Sequence, residues 1–375
     1  MKTQYGLVIL MSLLLFNCSE KKAPSVDQSG NAPVKKNTAF KGFEDLSAPA
    51  FQALRDKYRI DTVFHGEQDE FRRMLLLRNW IRTVIHISDF ESRYPGEGYP
   101  EQILDAALKG QGYHCGHYMI VQNAVMNAYG YVTRCLGAGP GVKGGPDGHH
   151  GINEIWSNKY QKWFLSDAKY NHHFEKDGIP LSALQIRDEY LKNKAADIVM
   201  VKGPDRTPIE TDAVANAKGV MIPHTKADFA QTYTWIEWES YNDRYTNWPQ
   251  SGDHVSILNM YEDDYFRNNK WIWDGKPHWA YGTEFMKLVS DRNAIEWTPN
   301  TIESSVKIEG DVVHIDLDSQ TPNLKAYQMK GADGQWKDVP ASVEMPLPEG
   351  RSENLFRVVN LAGVPGPEYK VIISR

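Results

Sequence analysis

Three residues within one stretch have the types that acyl chemistry needs. Cys115 stands in Gly112-Tyr-His-Cys-Gly-His117, His150 follows a run dense in glycine and proline, and Asp167 closes Trp163-Phe-Leu-Ser-Asp. A cysteine, a histidine and a carboxylate are the parts of a nucleophile, a base and an orienter. The thiolate attacks an acyl carbon, the imidazole takes and returns a proton, and the carboxylate holds the ring. A free thiol is only slightly ionised near neutrality, so a paired base matters.

The surrounding pattern says how these residues would be positioned. Met119, Ala124, Val125 and Ala128 mark the inner face of a helix over 115–129, and Gly130 sits where a terminating glycine belongs. A cysteine that opens a helix lies beside unpaired backbone N–H groups at the positive end of the dipole, which favours the thiolate. The same N–H groups can face a developing oxyanion. Gly112 and Gly116 leave room for a substrate backbone. Gln111, four residues before the cysteine, is a candidate for polarising a carbonyl.

Val132 to Leu136 reads as a strand, and 137–148 as a loop that delivers His149-His150. Gly151–Trp156 and Lys162–Asp167 read as a hairpin across Ser157–Gln161. A turn centred between Asn158 and Lys159 places His150 opposite Asp167 on one face, with Cβ atoms about 4.5–5.5 Å apart. Arg134 is expected to brace the site through a buried ion pair, and Cys135 to be a small structural residue.

Four blocks carry a resemblance. Tyr113-His-Cys-Gly-His-Tyr-Met-Ile120, Gly130-Tyr-Val-Thr-Arg134, His150-Gly-Ile-Asn-Glu-Ile-Trp156 and Trp163-Phe-Leu-Ser-Asp167 resemble, in order and spacing, the transglutaminase-like superfamily. The match covers about Glu67 to Asn171. Ile152 stands where that family often has Trp. The resemblance implies a fold related to papain-like cysteine proteases, of α+β class, with N-terminal helices packed on an antiparallel sheet. It also implies Cys115, His150 and Asp167 as catalytic residues, favours His150 over His149, and points to hydrolysis or transfer at an amide or related acyl bond.

Two rival readings use other residues. His114, His117, His149, His150, His172 and His173 surround the cysteine in pairs, which raises a metal site, but the usual zinc spacings are absent. The expectation is no metal and no cofactor, with His114, His117 and His149 lining a substrate cleft. The region 196–300 carries Trp235, Trp238, Trp248, Trp271, Trp273, Trp279 and Trp297. These rings either line a groove for peptide or glycan, with Trp235 and Trp271 as substrate-binding residues, or form a core between domains. A glycan-processing or glycan-binding surface protein is therefore the alternative function.

The remaining sequence sets the frame. The 375 residues are 41% hydrophobic and carry a formal net charge of −6, which gives a nucleic-acid partner no electrostatic support. Gly6 to Phe16 is an apolar run too short to span a bilayer, and it ends at Asn17-Cys18-Ser19. This resembles a bacterial lipoprotein signal, with Cys18 as the lipid attachment and the cell envelope as the destination. The expected divisions are a signal over 1–18, a polar tether over 19–39, a transglutaminase-like core over 40–195, an aromatic-rich extension over 196–300 and a β-sandwich over 301–375. The last of these resembles a fibronectin type III module in its final hairpin.

Overall fold

The computed structural model describes residues 23–88, 99–139, 149–215, 221–247, 257–268, 272–273, 276–277 and 286–375. Four helices form one layer: α1 (Pro49–Tyr58), α2 (Glu70–Val84), α3 (Pro100–Ala107) and α4 (Cys115–Asn127). Proline opens α1 and α3, where its missing N–H costs nothing. Asp69 caps α2 by accepting the Arg72 N–H at 2.9 Å. The helices share a core with Phe71, Leu75, Val121 and Val125 at its centre, and it rests on Ile155 and Phe164 of the sheet.

That sheet has six strands: β1 (Thr133–Gly139), β2 (His150–Ser157), β3 (Lys162–Ser166), β4 (Trp235–Glu239), β5 (Leu258–Tyr261) and β6 (Met286–Val289). Their order is β6-β5-β4-β1-β2-β3, antiparallel throughout except for the parallel β5–β6 pair. Every residue of β1 and β2 is buried, so these strands are covered on both faces. The second face packs against Phe174, Leu184, Ile186, Phe229 and Tyr233. The class is α+β, as expected.

Three expectations about organisation change. The 196–300 stretch is not an appendage: it supplies β4, β5 and β6, and Ile236, Trp238, Val289, Ile295 and Trp297 share one core with Leu136 and Ile152. A boundary at residue 195 would cut through that core. The 19–39 segment is not a free tether over its described part. Ser25–Asp27 pairs antiparallel with Tyr369–Ser374, and Asn31 exchanges two hydrogen bonds with the Lys370 backbone at 2.8 Å. Residues 303–374 form a three-stranded and a five-stranded antiparallel sheet around Val313, Ile315, Phe356, Val358 and Val371, and Ser25–Asp27 is an edge of the second.

The third change is the hairpin register. Trp156 pairs with Trp163 and Ser157 with Lys162, so the turn is Asn158–Gln161, with Gln161 at φ 50°. Its centre falls one residue later than expected. Counting back along the ladder, His150 is then diagonal to Asp167 instead of directly opposite. The slip moves the partner by two places, so both side chains stay on one face. Glu70 fixes this turn from α2, accepting from Ser157 Oγ at 3.0 Å and from the Asn158 and Lys159 N–H groups at 2.9 Å.

Candidate active site

Cys115 is the first residue of α4. His114 caps the helix, its Nδ1 accepting the Gly116 N–H at 3.2 Å, which satisfies one of the orphan donors there. The cysteine Sγ lies 3.8 Å from the His149 carbonyl oxygen, and the His114 and His150 rings act on its ionisation. Burial alone would raise this thiol. The two imidazoles, with the charges of His150 and Lys169, outweigh burial and bring it well below its usual range. Cys135 is the opposite case, because burial pushes it well above that range. Asn153 Nδ2 donates to its sulfur at 3.5 Å.

The helix start and β2 meet through two glycines. A Cβ on Gly151 would lie 3.2 Å from Gly116 Cα and 3.3 Å from Gly116 N. That close approach sets Cys115 beside His150. Gly151→Ala is expected to cost about 1–3 kcal/mol through overpacking and to push α4 off β2. Urea denaturation reads the first effect and slower Cys115 alkylation the second. An unchanged alkylation rate would refute the positioning role.

His150 Nε2 donates to Asp167 Oδ2 at 2.6 Å, and both side chains are buried. This leaves Nδ1 for the thiol side. Burial opposes a charged imidazole here, yet the Asp167 carboxylate prevails and raises His150 to about 9. Asp167 itself stays well below the carboxylate range despite burial. His150 and His172 favour its charge, and Oδ1 accepts the Tyr170 N–H at 3.0 Å. Tyr233 donates its hydroxyl to Oδ2 at 3.4 Å. Burial drives His172 down to about 4, so it is neutral beside Asp167.

A buried arginine fastens this corner. Arg78 donates from Nε to Asn171 Oδ1 at 3.1 Å and from Nη1 to the His172 carbonyl at 3.0 Å. Its Nη1 also donates to His173 Nδ1 at 3.1 Å, so His173 Nε2–H points at Glu175 Oε1, 2.7 Å away. Glu175 in turn receives both arms of Arg206 at 2.6 Å. Arg78 thereby pins the turn between Asp167 and His172, which is closed by reciprocal backbone bonds of 3.1 and 3.2 Å. Burial lowers Arg78 to about 9, while Asp167 and Glu175 favour its charge. Sequence reading missed Arg78, Tyr233 and Lys169. The available signal was Arg78 itself, a charge on the inner face of α2 between Met74 and Ile81.

The other candidates divide. Arg134 does make a buried ion pair, with Glu154 at 2.6 Å, and its guanidinium lies 4.1 Å from the Trp163 ring centre. It also donates to the Ile295 carbonyl, so it braces the middle of the sheet. Gln111 donates its amide to the Gly112 carbonyl at 2.9 Å. His149 turns away from His150 and meets Glu237 Oε1 at 3.0 Å, across the space left by Gly137.

Two substrate-binding expectations are corrected. His117 is buried against Tyr113 and His114, and burial with the neighbouring His114 lowers it to about 3, so it packs under the site. Trp235 is 3% exposed and stacks on Phe266 with ring centres 4.8 Å apart, so it offers no face to a ligand. Trp271 and Cys18 lie outside the described residues. Among the described residues, no three His, Cys, Asp or Glu side chains converge on a point where a metal ion could sit.

No family model matches this chain, and no curated protein matches it. Among solved structures it is similar to the crystal structure of red sea bream transglutaminase, at 11% identity and a TM-score of 0.27. The match covers 81% of this chain and 48% of that one, so the chain spans about half the length of that transglutaminase. A likeness this loose fixes neither activity nor site.

Proposed function

We propose that this chain is a cysteine-dependent hydrolase of amide or related acyl bonds. Cys115 is the nucleophile, His150 the general base and acid, and Asp167 the group that holds and charges the ring. The observation that carries this reading is the 2.6 Å hydrogen bond from His150 to Asp167, beside a thiol that the His114 and His150 rings lower against burial. The depressed thiol and the raised imidazole are what a thiolate–imidazolium pair requires.

The steps follow from the positions. The Cys115 thiolate adds to the carbonyl carbon, and the oxyanion faces the N–H groups at the start of α4, with Gln111 close in sequence as support. His150 gives its proton to the departing amine, the C–N bond breaks, and a thioester remains. His150 then takes a proton from water, the hydroxide adds to the thioester, and the thiolate leaves. An amine in place of water would give transfer. Attachment to a membrane through Cys18 after export belongs to the same proposal and rests on residues 1–19 of the sequence. With Trp235 in a core, peptide amides are the first substrates to try, ahead of glycans.

Incubation with a peptide-amide mixture tests the reading. Product release is expected from the native chain, with an acyl group that hydroxylamine strips from Cys115, and neither from Cys115→Ala. Equal turnover by the Ala variant would sink the proposal.

A further inference from the structure

The far end of α4 lies about 20 Å from Cys115 at 1.5 Å per residue. There, the start of α1, the start of α2, Tyr129 and the turn over 361–365 enclose a cavity of about 980 Å³. It is distinct from the cysteine site and has no part in the proposed chemistry. Asn360 builds the sandwich side of it. Its Oδ1 accepts the Ala362 and Val364 N–H groups at 3.1 and 3.0 Å, and its Nδ2 donates to the Gly130 carbonyl at 2.8 Å. That turn is therefore fixed, and it presents Leu361, 44% exposed, and Pro365 to the cavity. Leu46 and Pro49 add apolar surface from the start of α1.

The charged groups of the wall have partners, with one exception. Asp69 holds Lys159 at 2.6 Å, and Glu70 is occupied by Ser157, Asn158 and Lys159. Arg55 forks onto Asp61 at 3.1–3.2 Å, and Asp61 also takes the Tyr129 hydroxyl at 2.7 Å. Arg73 has no ion pair and no side-chain hydrogen bond among the described residues, and its Nε is sealed from solvent. Its guanidinium lies over aromatic rings instead, 4.0 Å from the Phe64 centre and 6.0 Å from that of Tyr129. A half-buried guanidinium held in place with its donors unspent is poised for a bidentate acid.

We propose that this cavity binds an anionic head group, carboxylate or phosphate, carried on an apolar body, with Arg73 as the counterion. The head group meets the Arg73 fork, and the body lies along Leu46, Leu361 and Pro365. Size, apolar side chains in the wall and a cation without an ion pair are the usual make-up of such a pocket.

Calorimetric titration of the full chain with hexanoate, hexyl phosphate and hexanol tests this. At least one anion is expected to bind saturably and about tenfold or more tighter than the alcohol, with affinity falling as salt rises. The tighter anion assigns the head group. Arg73→Gln removes the preference for the anion, and Leu361→Asp, at an exposed position that tolerates charge, weakens the anions by repulsion. Absence of saturable binding, equal binding of hexanol, or an Arg73→Gln variant that keeps the preference would each overturn the proposal. Cys115 alkylation stays at the native rate in both variants, which separates this site from the cysteine.

Discussion

Iodoacetamide at pH 7 is expected to label Cys115 about 10²-fold or more faster than Cys135. A thiol at or above its ordinary value is at most a few per cent thiolate at that pH, and burial holds Cys135 higher still. Cys115 is shifted towards the thiolate because His114 and His150 outweigh burial. A low thiol pKa also weakens the nucleophile, with a Brønsted slope of about 0.4–0.5, which offsets part of the gain. Exposure adds to the difference, since Cys135 is buried and Cys115 only half-buried. Peptide mass spectrometry against time gives both rates, and equal rates would remove Cys115 as a nucleophile. The labelling rate should already be high below pH 7. Turnover should fall as pH rises through about 9, where His150 loses the proton it owes the leaving group.

Asp167→Asn carries the other large effect. Without the carboxylate, only Cys115 still opposes burial at His150, and its value falls from about 9. The thiol loses its cationic partner and rises. Alkylation at pH 6 should slow, its pH midpoint should move up, and turnover should drop by about 10²–10⁴-fold. An Asn variant with the native pH profile would refute the orienting role.

Stability changes with the same pair. A raised His150 contributes stability that is full below about 6.5 and lost as pH rises through about 9. A depressed Asp167 contributes stability above the ordinary carboxylate value, lost as pH falls through its low folded value. The native chain is therefore most stable between these limits, and Asp167→Asn flattens both limbs in a urea series.

The local parts of this site were legible in sequence. A helix from Cys115 follows from apolar spacing and Gly130, and the hairpin follows from its alternating strands. Both kept His150 and Asp167 on one face even though the turn centre moved by one residue. Glu70, a residue of α2, holds the turn in its observed place, and no local pattern announces that hold. Arg78 escaped for the same reason, since its partners lie on a turn distant in sequence. The strands β4 and β5 lacked periodicity because they are buried on both faces of the sheet, where alternation fades. Trp235 and Trp238 are interior, which decides for the core between the two readings the sequence left open.

Sheet order also sets how the chain must be made. Strand β1 takes one neighbour from β2, which follows it, and the other from β4, beyond residue 230. Until β4 emerges from the ribosome, one row of Thr133–Gly139 amides and carbonyls stands open. Such an edge is a template for pairing with other chains, and long-range pairing is slow to close. The nascent chain is thus most vulnerable at the strand that becomes one of the best protected, and yield depends on how soon β4 arrives.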